Sequence, residues 1–209
     1  RDVERSRGLG DVYKRQDYFP RLAAISQDNV KVKEMVNQQI EVVLFLMAPL
    51  CCFLILLAPL VIEVLLTKEF MGIISLIRWM GIGLFFKAFA FPLGYISFAK
   101  GDRKTFFWLE GVMGNLMSLV LGMISYFIWG LMGMGISLCI TYILWGGLYN
   151  IITKRLYEFE LSTNTYKILA VLIIFISLTF LFSFLNDTFF SYVFMGLSTF
   201  MCSLFCLFH

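Results

Sequence analysis

Four side chains that can carry charge or form hydrogen bonds, Arg78, Lys87, Glu110 and Asn115, stand inside runs of otherwise apolar sequence. A cation at the centre of a bilayer costs roughly 2.5–3.5 kcal/mol on insertion scales, so residues of this kind face a cavity, a partner or an interface. A buried carboxylate can also pair with a cation or respond to a proton or sodium. The only histidine, His209, is the last residue, and no cluster of His, Asp and Glu offers acid and base partners. Cys51, Cys52, Cys139, Cys202 and Cys206 all lie in apolar runs without a nearby histidine, which fits packing and neither a zinc site nor a disulfide framework. No catalytic residue, metal or cofactor is expected.

Arg78 and Lys87 are nine residues apart, which turns them about 180° from each other around one helix at 3.6 residues per turn. Only one of them can face a given cavity. Arg78 lies about a third of the way into its apolar run from the outer side, close enough for a long side chain to snorkel to the interface. Lys87 lies near the middle and is the stronger candidate for substrate binding. Its structural alternative is a buried pairing, with Asn115 as the partner at similar depth. Glu110, about five residues into the next run, either pairs with Lys100, Arg103 or Lys104 or responds to protons or sodium. Pro92 and Gly94 interrupt regular helix and offer either a hinge or a static kink.

The elements that must hold these residues follow from composition. The chain is 60% hydrophobic with 23 Phe and 11 Met, and only 15% of its residues are charged. This is an all-α polytopic membrane protein and not a soluble domain. Six runs are long enough to cross about 30 Å of hydrocarbon: 40–66, 71–99, 105–128, 131–153, 166–185 and 189–208. None alternates like a barrel strand, so a transmembrane helix bundle is the form in which every backbone polar group is paired. Trp108 and Trp129 fall near the ends of runs, where amphipathic rings are favoured. Gly130 to Gly135, with Gly146 and Gly147, predicts close helix approach.

Basic residues orient the bundle. Arg21, Lys31 and Lys33 precede the first run, Lys100, Arg103 and Lys104 follow the second, and Lys154, Arg155 and Lys167 follow the fourth, while the alternate connections hold only Lys68. This asymmetry places both ends on the cytoplasmic side. The net charge of +3 falls close to zero without the first sixteen residues, and it offers nothing to a nucleic acid.

Those sixteen residues, RDVERSRGLGDVYKRQ, differ in composition from all that follows and have no apolar segment of the kind a signal peptide needs. They resemble a translated sequencing-library adapter, with DVYKRQ in the frame of a transposase recognition end. On that reading Asp17 is a junction within a longer gene, and 17–39 is the end of a preceding helix and a charged connector.

DYFPRLAAISQDN, from Asp17, and RWMGIGLFFKAFAFPLGYISFAKGDRKTFFWLEGVMGN, from Arg78, resemble the second half of bacterial oligosaccharide flippases, the lipid-linked O-antigen translocases of the multidrug/oligosaccharidyl-lipid/polysaccharide exporter superfamily. The likeness covers most of 17–160; the last two spans match only in hydropathy. It implies that the six spans are the second lobe of a twelve- to fourteen-helix transporter of the bacterial inner membrane. It implies alternating access, with an undecaprenyl-pyrophosphate-linked oligosaccharide passing between this lobe and an N-terminal one. The partners would be that lipid-linked oligosaccharide, the membrane lipids and the N-terminal lobe. Arg78, Lys87 and Asn115 would be substrate contacts. A multidrug or peptidoglycan-precursor exporter of the same superfamily is the nearest alternative, and a membrane-embedded polysaccharide enzyme is a more distant one. Exporters of cationic drugs would favour buried carboxylates over Lys87.

Overall fold

The computed structural model describes residues 18–65, 68–185 and 189–209; the adapter-like stretch 1–16 lies outside them. Among the described residues there is no strand. A short helix α1 (Tyr18–Ala24) leads into α2 (Asn29–Leu65), and a 3-10 turn (Lys68–Ile73) leads into α3 (Ile74–Ala99). Then follow α4 (Arg103–Trp129), α5 (Leu131–Tyr157), α6 (Thr163–Phe182) and α7 (Phe189–Phe208). The six helices from α2 to α7 are each long and apolar enough to cross a membrane.

Helix starts follow from local chemistry. Asp28 Oδ1 accepts from the amides of Val30 and Lys31 at 3.1 and 3.2 Å, Asp102 Oδ1 accepts from Thr105 N at 3.1 Å, and Ser162 Oγ accepts from Thr165 N at 3.0 Å. Each satisfies an amide that the first turn leaves free. The charged connector 30–39 is therefore already helical, and α2 begins well before its apolar run. Pro49, Pro59 and Pro92 are carried inside α2 and α3 without ending them.

The helices pack in a row. α4 lies mainly against α5, α5 against α3 and α3 against α2, while α6 and α7 pair with each other and with α2. The core runs along the middle of this row, through Ile40, Leu44 and Ile55 of α2, Phe85, Leu93 and Ile96 of α3, and Trp145 and Tyr149 of α5. Small residues set the spacing at the α4–α5 turn and at α5–α3. A Cβ on Gly133 would overlap the Ser125 carbonyl, and one on Gly135 would come within 2.8 Å of the Leu76 carbonyl oxygen. Such approach lets helices gain dispersion contacts where lipid removes the hydrophobic drive to associate.

The connections predicted to share one side meet at one end of the bundle. Lys100 Nζ donates to Ser26 O at 3.0 Å and to Asn29 Oδ1 at 2.7 Å, the Tyr157 hydroxyl donates to Asp102 Oδ2 at 2.9 Å, and Lys154 pairs with Glu160 at 3.0 Å. Glu41, whose position near the end of its run suggests a solvated side chain, instead accepts from Thr165 at 2.8 Å and Asn164 at 3.2 Å. It joins Asn37, which bonds both Ser162 N and Thr165 Oγ1, and the group fastens the start of α6 to α2.

Candidate functional site: a polar seam between α3, α4 and α5

Glu110 sits on a local change of helical register. Residues Phe107–Gly114 of α4 form a π-helical stretch, wider than the α-helix on either side. Segments of this kind are rare and often mark functional positions. Asn115 supports the return to α-helix, with its Nδ2 donating to Gly111 O at 2.9 Å and reaching Glu110 O at 3.4 Å. The predicted pairing of Asn115 with Lys87 is absent among the described residues, because that amide is spent on its own backbone.

The widened stretch directs Glu110 toward α3 and α5. Its Oε1 accepts from the hydroxyl of Tyr149, a side chain only 1% exposed, at 2.7 Å. Gly94 of α3 makes room for the pair: a Cβ there would lie 2.8 Å from Glu110 Oε1 and 3.3 Å from the Tyr149 oxygen. This replaces the expected pairing of Glu110 with Lys100, Arg103 or Lys104. Glu110 is seven residues past Arg103, about 10 Å along the axis at 1.5 Å per residue, while Lys100 is engaged with Ser26 and Asn29.

Further along the same interface, Glu110, Gly114 and Asn115 of α4 face Thr141, Tyr142 and Trp145 of α5 across a small cavity of about 90 Å³. The Thr141 hydroxyl is buried and has no hydrogen-bond partner among the described residues. Lys87 borders this cavity through an aromatic ring. Its Nζ lies 5.3 Å from the centroid of Tyr142, within cation–π range. The Lys87 side chain is exposed on the surface of the bundle, and among the described residues it forms no ion pair. It is the fourteenth of the 26 residues of α3, about 20 Å from either end.

Arg78 is elsewhere, as the 180° separation requires. Its Nη1 donates to the carbonyl of Ser183 at 2.8 Å, at the C-terminal end of α6. There the cation meets the negative end of a helix dipole. The geometry gives Arg78 the work of a fastener between α3 and α6. Pro92 and Gly94 lie within an unbroken helix, and the clearest task of Gly94 is to seat the Glu110–Tyr149 pair.

Sequence reasoning passed over Tyr149, Tyr142 and Thr141. Their signal is present: Thr141, Trp145 and Tyr149 recur every four residues and form one stripe along α5. Such a stripe also fits ordinary core, and only the arrival of Glu110 and Lys87 beside it makes it polar.

Residues 15–75 match a family model described as polysaccharide biosynthesis protein, and over that stretch the chain is similar to that family. No curated protein and no solved structure matches the chain. The matched stretch ends before Arg78, so the polar seam stands on its geometry alone.

Proposed function

We propose that this chain forms one lobe of a transporter that flips a lipid-linked oligosaccharide, carried on undecaprenyl pyrophosphate, across the bacterial inner membrane for surface polysaccharide synthesis. One observation carries the reading. Lys87 stands midway along α3, exposed on the bundle and without a carboxylate partner among the described residues. A lone cation at that depth is costly against lipid and useful to an anionic head group crossing beside it. The family match over 15–75 and the bundle of apolar helices support a membrane protein of polysaccharide synthesis.

In this reading the protein makes and breaks no covalent bond. Lys87 offsets the pyrophosphate charge, Tyr142 holds the ammonium in place by its ring face, and the cavity behind it supplies the Thr141 hydroxyl. Pro92 gives α3 a point of flexure, since it removes one helical hydrogen bond. The end carrying Lys100, Arg103, Lys104 and Arg155 faces the cytoplasm.

Complementation tests the assignment. Lys87→Ala, placed in the full-length gene and expressed in a strain lacking its oligosaccharide flippase, should insert normally and fail to restore surface polysaccharide, while Lys87→Arg should restore part of it. Normal polysaccharide with Lys87→Ala overturns the role. Export of lipophilic cations by the wild type, without polysaccharide, would point to the drug-exporter alternative.

A further inference from the structure

A second cleft lies between α4 and α5, at the end of the bundle that carries the basic connections. Lys104 and Arg155 stand at its rim, and Trp108, Leu109, Ile152 and Leu156 line it. Its volume is about 420 Å³. Among the described residues neither cation has an ion-pair partner, although Lys31, Lys33 and Lys154 all do. Asp102, whose carboxyl also feels the charge of Lys104, accepts from Thr105 N and the Tyr157 hydroxyl.

The order of side chains along the helices matches the layers of a bilayer. Lys104 is in the first turn of α4 and Arg155 in the last turn of α5. One turn deeper come Trp108 on α4 and Ile152 on α5, about 4.5–6 Å further along the helix axes at 1.5 Å per residue. Cations stand at phosphate level, an indole at the interface, and apolar groups below, where a glycerol backbone and the tops of acyl chains would lie. Basic clefts between membrane helices on the cytoplasmic side recognise anionic lipid head groups in this way.

We propose that the Lys104–Arg155 cleft is a binding site for an anionic phospholipid of the bilayer, with the phosphate between the two cations and the chains along Trp108 and Leu156. The site is separate from Lys87 and does not depend on the transport reading. It gives α4, which packs mainly on α5, a second ligand at its basic end.

Native mass spectrometry of the full chain in mixed micelles tests this, with phosphatidylglycerol titrated against phosphatidylcholine. Each interfacial cation is worth roughly a five-fold preference, so the pair should favour phosphatidylglycerol by about 25–30-fold. Lys104→Gln with Arg155→Gln should bring the ratio near unity, and Arg103→Gln, an exposed cation outside the cleft, should leave most of it in place. Brominated phosphatidylglycerol should quench tryptophan fluorescence, and Trp108→Phe should remove most of that quenching. Circular dichroism of the variants confirms that they fold. An unchanged ratio in the double variant, or an equal loss in Arg103→Gln, would overturn the site and leave only diffuse surface charge. Competition by inorganic pyrophosphate as strong as that by the lipid would show an anion site that does not read lipid.

Discussion

The hydroxyl of Tyr149 and the carboxylate of Glu110 depend on each other, since Tyr149 is buried and its partner lies 2.7 Å away. Removing one leaves the other stranded in low dielectric, at about 1–3 kcal/mol. Glu110→Ala and Tyr149→Phe should each destabilise the protein by that order, and the double variant should cost clearly less than the two together, read from denaturant titrations in detergent. Strict additivity would show that the bond contributes nothing. Gly94→Ala should disturb the same pair, by about 1–3 kcal/mol, because its methyl would crowd both oxygens. Lys87 should behave oppositely. It has no ion pair among the described residues to lose, so Lys87→Ala should hold or raise stability while transport falls, and a stability loss comparable to that of Glu110→Ala would mark Lys87 as structural. The types of these residues were readable in the sequence, but their partners were not. Arg78 finds the Ser183 carbonyl 105 positions away, and Glu110 is aimed by a register change that no residue spacing announces.

Elements were easier to read than contacts, because a run of about 20 apolar residues has few alternatives in a membrane and because Asp102 and Ser162 mark helix starts by chemistry that is local. Asp102 also makes a prediction in pH. The Thr105 hydroxyl and amide, followed by the Tyr157 hydroxyl, hold its carboxyl below the ordinary 3.8 against the opposing effect of burial. Since the folded value lies below the unfolded one, the stabilisation is fully present above about 3.8 and is lost as pH falls through the folded value. Asp102→Ala should therefore cost about 1 kcal/mol, the usual value of a helix cap, at neutral pH, and the difference from wild type should shrink below pH 3.8. A difference that grows on acidification would contradict the assignment. At the other end of α4, Gly130 turns the chain with φ 60° and ψ −142°, a conformation close to one that only glycine enters readily. Gly130→Ala should cost about 1–3 kcal/mol in thermal or denaturant unfolding. No measurable loss there would mean that the turn relaxes to another conformation.

Across the whole molecule, charge placement and contact agree. Connections that the positive residues assign to one side are joined by Lys100 to Ser26, Asp102 to Tyr157, and Lys33 and Lys154 to Glu160. Reporter fusions after Lys104 and after Arg155 should both give cytoplasmic signals, and a periplasmic signal at either would reverse the orientation proposed for the bundle. The row of helices was not readable, because apolar runs of similar composition do not say which neighbour each will choose; the glycines that decide it act through space. One consequence concerns synthesis. With Gly130 as their sole connecting residue, α4 and α5 have no slack to enter the bilayer at different times or in different places. They must pass the insertion machinery as a hairpin, so the helix that carries Glu110 enters beside the one that carries its Tyr149 partner.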